Sequence, residues 1–156
     1  MKHLLISLAA LAAAPAWAGD HGLPANTPAA YKTECGSCHT AFPPALLAAS
    51  DWRRTMAGLD KHFGTDASVD ARTHAALLAF LERQAGRRAA SPGTAEPRFT
   101  TGAWFVREHR EVPPRVWKDP KVMGPTNCAA CHKGADQGRY GERELSVPGM
   151  AYREHD

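Results

Sequence analysis

The sequence predicts a mostly α-helical protein with few or no strands. Several segments place apolar residues at helical spacing, and no alternating run suggests a strand ladder. Pro and Gly residues divide these segments into short helices. The chain has only 156 residues, so its apolar core is small, and a disulfide, a metal or a cofactor is expected to organise it.

The N-terminal segment predicts export. "MKHLLISLAALAAAPAWAGD" has Lys2 near its start, then an apolar run, then Ala16-Trp17-Ala18, which fits the small-x-small cleavage pattern of a secretory signal. The run is too short to span a bilayer and Pro15 interrupts its end, which favours cleavage after Ala18 over a membrane anchor. We therefore expect a periplasmic protein that does not span the membrane after cleavage.

The charge balance gives no sign of a nucleic-acid partner. Cleavage lowers Lys plus Arg from 19 to 18 against 16 Asp plus Glu, so the net charge becomes +2 and is spread along the chain. The one basic cluster, "ERQAGRRAA", is typical of a solvated helix end.

Two short helices are expected in the first part of the mature chain. "NTPAAYKTECGSCHTAFPP" reads as a helix that is capped near Thr27, has Pro28 in its first turn and ends before Pro43-Pro44. "SDWRRTMAGLDKHFG" follows, with Ser50 or Asp51 as its cap and Gly64 as a left-handed end.

A longer amphipathic helix and two further helices follow. "SVDARTHAALLAFLERQ" has one apolar face, formed by His74, Leu77, Leu78, Leu81 and Ala85. "TTGAWFVREHREVPP" reads as a helix stopped by Pro113-Pro114, and "NCAACHKGADQG" as the last helix. The tail "RYGERELSVPGM" is expected to be extended.

All four cysteines lie in two copies of one five-residue pattern. "ECGSCHTAF" contains Cys35, Cys38 and His39, and "NCAACHKGA" contains Cys128, Cys131 and His132. Two disulfides would be usual for four cysteines in an exported protein, but would not explain why a histidine follows each pair. A four-cysteine zinc site would place the pairs closer together, since 89 residues separate Cys38 from Cys128. A thioredoxin-like redox pair would need a strand–helix alternation that is missing here.

C-x-x-C-H is the attachment signature of c-type haem. The two thiols bond to the porphyrin, and the histidine that follows supplies the proximal iron ligand. The cofactors predicted from the sequence are therefore two covalently bound haem c groups, held by Cys35 and Cys38, and by Cys128 and Cys131. The proximal ligands are His39 and His132.

The sixth ligand of each iron decides what the haem can do. An iron with two strong protein ligands transfers electrons, whereas an open iron binds or transforms small molecules. His62 lies 23 residues after His39, at a helix end beside Phe63-Gly64, and we favour it over His74. His109 lies four residues after Phe105 and is favoured over Met123.

The runs "YKTECGSCHTAFPPALL", "WRRTMAGLDKHFG", "WFVREH" and "NCAACHKGADQGRY" resemble the family of small dihaem cytochromes c of Gram-negative bacteria. The resemblance covers nearly all of the mature chain. It implies a helical fold with two haem lobes, bis-histidine haems, and His62 and His109 as distal ligands. It also implies electron transfer between a membrane b-type cytochrome and a small oxygen-binding monohaem c-type cytochrome.

The expected organisation has four parts. Residues 1–18 form the signal peptide, residues 19–88 an N-terminal haem lobe, residues 89–98 a linker and residues 99–156 a C-terminal haem lobe. We expect an electron carrier that is not an enzyme, in which His39 and His62 bind one iron and His132 and His109 bind the other. The alternatives are a small dihaem subunit of a periplasmic reductase, and a dihaem peroxidase or gas-binding protein with one open iron.

Overall fold

The computed structural model describes residues 22–87 and 96–150. The predicted signal peptide and residues 89–95 of the predicted linker lie outside these ranges. Within them the chain is mostly helical and pairs its backbone only in isolated bridges, never in a strand, so the predicted fold class is confirmed. Its helices are α1 (Ala29–Cys35), α2 (Ala49–Ala57), α3 (Ala71–Gln84), α4 (Ala103–Glu108) and α5 (Pro114–Trp117). Short 3₁₀ turns connect them.

Helix α1 ends earlier than the sequence predicts. It stops at Cys35, so the remainder of the first C-x-x-C-H pattern lies in a turn and an irregular loop, not in a helix that continues to Pro43. Two local contacts close the helix: the N–H of Gly36 donates to the carbonyl of Lys32 at 3.1 Å, and the hydroxyl of Ser37 donates to the carbonyl of Glu34 at 2.9 Å. A serine side chain that bonds to a nearby carbonyl competes with helical hydrogen bonding.

Helices α2 and α3 pack against each other. The expected caps Ser50 and Asp51 lie inside α2, and Ala48 precedes its first turn. The side chain of Asp51 is fully buried and pairs with Arg54, so it serves the interior of the lobe and not the helix end. Helix α3 has an aspartate cap instead, because Asp70 accepts hydrogen bonds from two backbone N–H groups of the first turn.

The second C-x-x-C-H pattern is also less helical than predicted. Its cysteines flank a single 3₁₀ turn, Cys128–Ala130, and the tail folds back along it. The N–H of Ser146 donates to the carbonyl of Cys131 at 2.8 Å, and the N–H of Lys133 donates to the carbonyl of Glu144 at 3.1 Å. These backbone bonds to the tail take the place of the helical bonds that we expected.

One buried cluster contains side chains from both predicted lobes. Residues of the N-terminal part dominate it, and two phenylalanines of the C-terminal part complete it. The cluster consists of Tyr31, Ala41, Leu47, Trp52, Met56, Leu77, Phe80, Leu81, Phe99 and Phe105. The two predicted lobes therefore share apolar packing, and the exact division at residues 89–98 stays a prediction.

Candidate haem-binding sites

The first histidine of interest, His39, lies in the loop that follows α1. Its Nδ1 is 2.9 Å from the carbonyl oxygen of Thr40. A carbonyl oxygen only accepts hydrogen bonds, so Nδ1 is the donor and carries the proton. Nε2 then keeps its lone pair, which is the arrangement that a metal-ligating histidine needs.

The structure brings His62 opposite His39. His62 ends the 3₁₀ turn Leu59–Lys61, and the two ring centroids are 6.4 Å apart with an interplanar angle of 35°. The backbone then reverses sharply, since Phe63 has a φ of 49° and Gly64 a φ of 91°. This reversal follows His62 directly, at the place where the sequence predicted a left-handed helix end.

The second pair has the same spacing. His132 directly follows Cys131, and His109 caps the C-terminus of α4. Their ring centroids are 6.3 Å apart, and their planes are inclined by 77°. Nδ1 of His109 donates to the carbonyl of Phe105 at 2.9 Å, which again leaves Nε2 with its lone pair.

Both spacings fit an iron atom held between two imidazoles. A metal bonded to one nitrogen of each ring at about 2 Å leaves the ring centroids roughly 6 Å apart. Among the described residues, no group of three or more His, Cys, Asp or Glu side chains is arranged to hold a metal by itself. Each histidine pair offers two donors, the number required by an iron whose other four positions belong to a porphyrin.

In each pair one histidine has a lowered pKa, which favours neutral imidazole, the form that binds metal. Burial lowers the pKa of His62, and the neighbouring His39 lowers it further, while Glu96 opposes the shift. Burial likewise lowers the pKa of His132, and His109 adds to the effect. Nδ1 of His132 is buried without a hydrogen-bond partner, so a charged ring there would be poorly solvated.

Each of the four histidine rings has an aromatic neighbour. The contacts, with centroid distances and interplanar angles, are His39–Phe42 at 4.5 Å and 17°, His62–Phe63 at 4.8 Å and 70°, His109–Phe105 at 3.9 Å and 19°, and His132–Tyr140 at 5.6 Å and 69°. Our sequence reasoning noted Phe63 and Phe105 but missed Phe42 and Tyr140. Phe42 lies three residues after His39, a local signal that could have identified it. Tyr140 is brought to His132 by the turn that follows His132, and its distance from His132 in the sequence does not predict the contact.

The rival candidates lie elsewhere. Nε2 of His74 donates to the carbonyl of Met56 at 3.0 Å, and the ring lines a separate cavity of about 170 Å³ between α2 and α3. Met123 is 75% exposed. The structure therefore places His62 and His109, not these two residues, opposite the proximal histidines; their ligation itself stays a prediction.

A cleft of about 240 Å³ opens beside His62. Its lining combines an aromatic ring with two basic side chains, a composition suited to the edge of an apolar ring that carries carboxylates. Besides His62, the lining residues are Arg54, Thr55, Gly58, Lys61, Phe63 and Glu96. These residues could hold one edge of the first haem.

None of the four cysteines, all of which lie in the described residues, forms a disulfide. Burial raises the pKa of the Cys35 thiol and of the Cys128 thiol to about 11. Thiol–disulfide exchange uses the thiolate, so these two thiols are poorly suited to that role at neutral pH. A cysteine bonded to haem through a thioether has no thiol proton, so the raised pKa does not bear on that role.

The comparison with protein families decides between these chemistries. The dihaem cytochrome c family matches residues 31–140, which include both C-x-x-C-H patterns. The chain belongs to the dihaem cytochrome c family. This dihaem cytochrome carries two haem c groups, as the sequence predicted.

Solved structures agree with the assignment. A dihaem cytochrome c from Shewanella baltica is 36% identical, with a TM-score of 0.68 over 78% of this chain and 94% of that one. A dihaem cytochrome c from Rhodobacter sphaeroides is also 36% identical, with a TM-score of 0.66 over 74% and 98% of the two chains. No curated protein sequence matches the dihaem cytochrome. Over residues 22–87 and 96–150, it has no helix long and apolar enough to cross a membrane.

Proposed function

We propose that this dihaem cytochrome transfers electrons between redox partners through two six-coordinate, bis-histidine haems. The observation that carries the proposal is the pair of facing histidines at each C-x-x-C-H pattern, with centroid distances of 6.4 and 6.3 Å. His39 and His62 would hold the first iron, and His132 and His109 the second. Each haem, when bound, supplies a one-electron Fe(III)/Fe(II) couple.

The chain's own residues favour electron transfer over catalysis. With an imidazole on both faces, neither iron offers an exchangeable position to peroxide or to a gas. The hydrogen bonds from His39 and His109 to backbone carbonyls hold their rings in one tautomer. Restrained ligands lower the reorganisation energy of the change in iron oxidation state, which suits an electron carrier.

A spectroscopic redox titration with and without carbon monoxide tests the proposal. We expect a ferric spectrum that is entirely low-spin and a reduced protein whose spectrum carbon monoxide does not change. A high-spin ferric component, or carbon monoxide binding by the unmodified protein, would contradict the bis-histidine assignment. A peroxidase or gas-binding function would then be favoured.

We also propose a periplasmic location and two redox partners. The support is the N-terminal signal pattern and the family resemblance: a mature protein beginning at Gly19 would exchange electrons with a membrane b-type cytochrome and a small oxygen-binding monohaem c-type cytochrome. N-terminal sequencing of the exported protein tests the cleavage site. An unprocessed N-terminus starting at Met1 would contradict it.

Docking to these partners is expected to be transient and salt-sensitive. The net charge is close to zero, so attraction must come from local charged patches, and small redox contacts of this kind weaken as salt screens them. The second-order rate constant of electron exchange with a purified monohaem partner should fall as ionic strength rises. A rate independent of ionic strength would exclude the electrostatic contribution.

A further inference from the structure

A continuous series of aromatic rings joins the two haem sites. It starts at His39, which stacks on Phe42, and ends at His109, which stacks on Phe105. Phe99 lies between them: its ring is 4.7 Å from that of Phe42 at 66°, and 5.8 Å from that of Phe105 at 72°. The proximal histidine of one site is thus linked to the distal histidine of the other by three phenylalanines.

Phe99 is placed to hold both ends of this series. It opens the 3₁₀ turn Phe99–Thr101, just before α4, and is only 8% exposed. Both of its contacts are edge-to-face, so a rotation of either neighbouring ring would press on the Phe99 ring. In a close-packed interior such displacements are transmitted and not absorbed.

The neighbours that Phe99 supports are the rings that lie flat on the ligands. Phe42 is within 17° of the plane of His39, and Phe105 is within 19° of the plane of His109. The hydrogen bond from Nδ1 restrains each imidazole at one atom only. A stacked ring restrains the plane itself, and it is the plane that determines how the imidazole orbitals overlap with those of the iron.

We propose that Phe99 is a positioning residue shared by both haem sites, which sets the ring planes of His39 and His109 through Phe42 and Phe105. The inference rests on the bis-histidine coordination proposed above. It implies that the midpoint potentials of the two haems are not set independently, because one side chain fixes the ring plane of one ligand at each haem.

Electron paramagnetic resonance of the ferric holoprotein can follow both haems at once. The imidazole planes are inclined by 35° at the first site and by 77° at the second. Low-spin ferric haems with near-parallel and near-perpendicular imidazoles give distinct signals, so the unmodified protein should show two. If a high-spin signal appears instead, the proposed coordination fails before Phe99 is tested.

The test compares Phe99→Leu with Phe80→Leu. Phe80 is the control, since it is 1% exposed in the same buried cluster and contacts Tyr31, which is not an iron ligand. Tyr31 donates to the backbone carbonyl of Phe42 at 2.6 Å and makes no ring contact in the series. We expect Phe99→Leu to shift both low-spin signals and both midpoint potentials, and Phe80→Leu to leave the signals in place. Phe99→Met, which has about the volume of leucine but a flexible unbranched side chain that fills irregular gaps, should act as Phe99→Leu does and serves if the leucine variant does not fold.

Three outcomes would overturn the inference while leaving bis-histidine coordination intact. In the first, the Phe99 variants fold with both low-spin signals unchanged, and in the second, they shift the signal of one haem only. In the third, Phe80→Leu shifts both signals as far as Phe99→Leu does, which would show that both haems respond to any change in the buried cluster.

Discussion

His62 and His74 are only twelve residues apart in sequence, but their imidazoles have different surroundings. The ring of His62 faces His39 at 6.4 Å and borders a cleft. The ring of His74 bonds to the carbonyl of Met56 and lines a different cavity. His39 and His109 also bond to backbone carbonyls, so at this scale the chemistry of a histidine depends on what its ring faces.

A glycine substitution separates the two histidines. His62→Gly removes the proposed distal ligand of the first iron, so about half of the ferric haem should become high-spin and the reduced protein should gain carbon monoxide binding. His74→Gly is the control and should leave the absorption spectrum unchanged. If His74→Gly opened a site and His62→Gly did not, the assignment would pass to His74.

Helix α3 shows how one side chain defines an element. The carboxylate of Asp70 accepts hydrogen bonds from the N–H groups of Arg72 and Thr73 at 3.0 and 3.1 Å. The side chain of Thr73 lowers the pKa of this carboxylate most, and the backbone bonds add to the effect. The helix it begins carries Leu77, Phe80 and Leu81 into the core. The carboxylate that begins helix α3 therefore also supports the packing of these core residues.

Removal of this cap should destabilise the protein in a pH-dependent way. Asp70→Ala leaves two N–H groups without their partner and should lower the melting temperature by a few degrees at pH 7. A carboxylate whose pKa is lowered by folding stabilises the fold above its ordinary value of 3.8 and loses that effect as pH falls through the folded value. The melting temperatures of the two proteins should therefore converge below about pH 4; an equal difference at pH 7 and at pH 3 would exclude the carboxylate as the cause.

The turn after α1 depends on Gly36. A Cβ at this position would lie 2.2 Å from the carbonyl oxygen of Lys32, whereas a Cβ at Gly141 would meet nothing within 4 Å. Gly36 lies between the two cysteines of the first pattern, so a displaced turn alters the spacing of Cys35 and Cys38.

Gly36→Ala should therefore impair haem attachment at the first pattern only. The haem-to-polypeptide ratio, measured by the pyridine haemochrome assay and by mass, should fall from two towards one. Gly141→Ala is the control and should retain both haems. Full loading of Gly36→Ala would show that the turn adapts and that the close approach has no consequence.

At the scale of the whole molecule, the buried cluster couples the two haem sites. Phe99 and Phe105, from the C-terminal part, lie in the same cluster as Tyr31 and Phe80, from the N-terminal part. The hydroxyl of Thr40, next to His39, also donates to Asp136, close to His132 in sequence, at 3.4 Å. Shared apolar burial favours cooperative unfolding.

Thermal unfolding of the holoprotein should accordingly be one transition. Far-ultraviolet circular dichroism and the Soret absorbance of both haems should report the same midpoint. Phe99→Leu should lower this midpoint for both haems together. Two separated transitions, one for each haem, would show that the predicted lobes are independent units.

The sequence alone determined the chemistry that is local in the chain. Two thiols and an imidazole within five residues suffice to attach a haem and ligate its iron, so the two C-x-x-C-H patterns identified the cofactors without any knowledge of the fold. The helical periodicity of α3 was equally local, and its apolar face is largely the buried one. The ends of α1 and α2 were misjudged because helix propensity does not describe the contacts that decide them. At α1 the deciding contact is the turn in which the N–H of Gly36 bonds to the carbonyl of Lys32. At α2 it is the burial of Asp51.

Only the tertiary structure decided which residues face one another. His62 and His74 were both acceptable candidates in the sequence; the structure places the His74 ring beside the carbonyl of Met56 and the His62 ring opposite His39. The same holds for the contact between Phe42 and Phe99, which are 57 residues apart in the chain. Contacts between distant segments arise from the packing of the whole chain, so no local pattern can encode them.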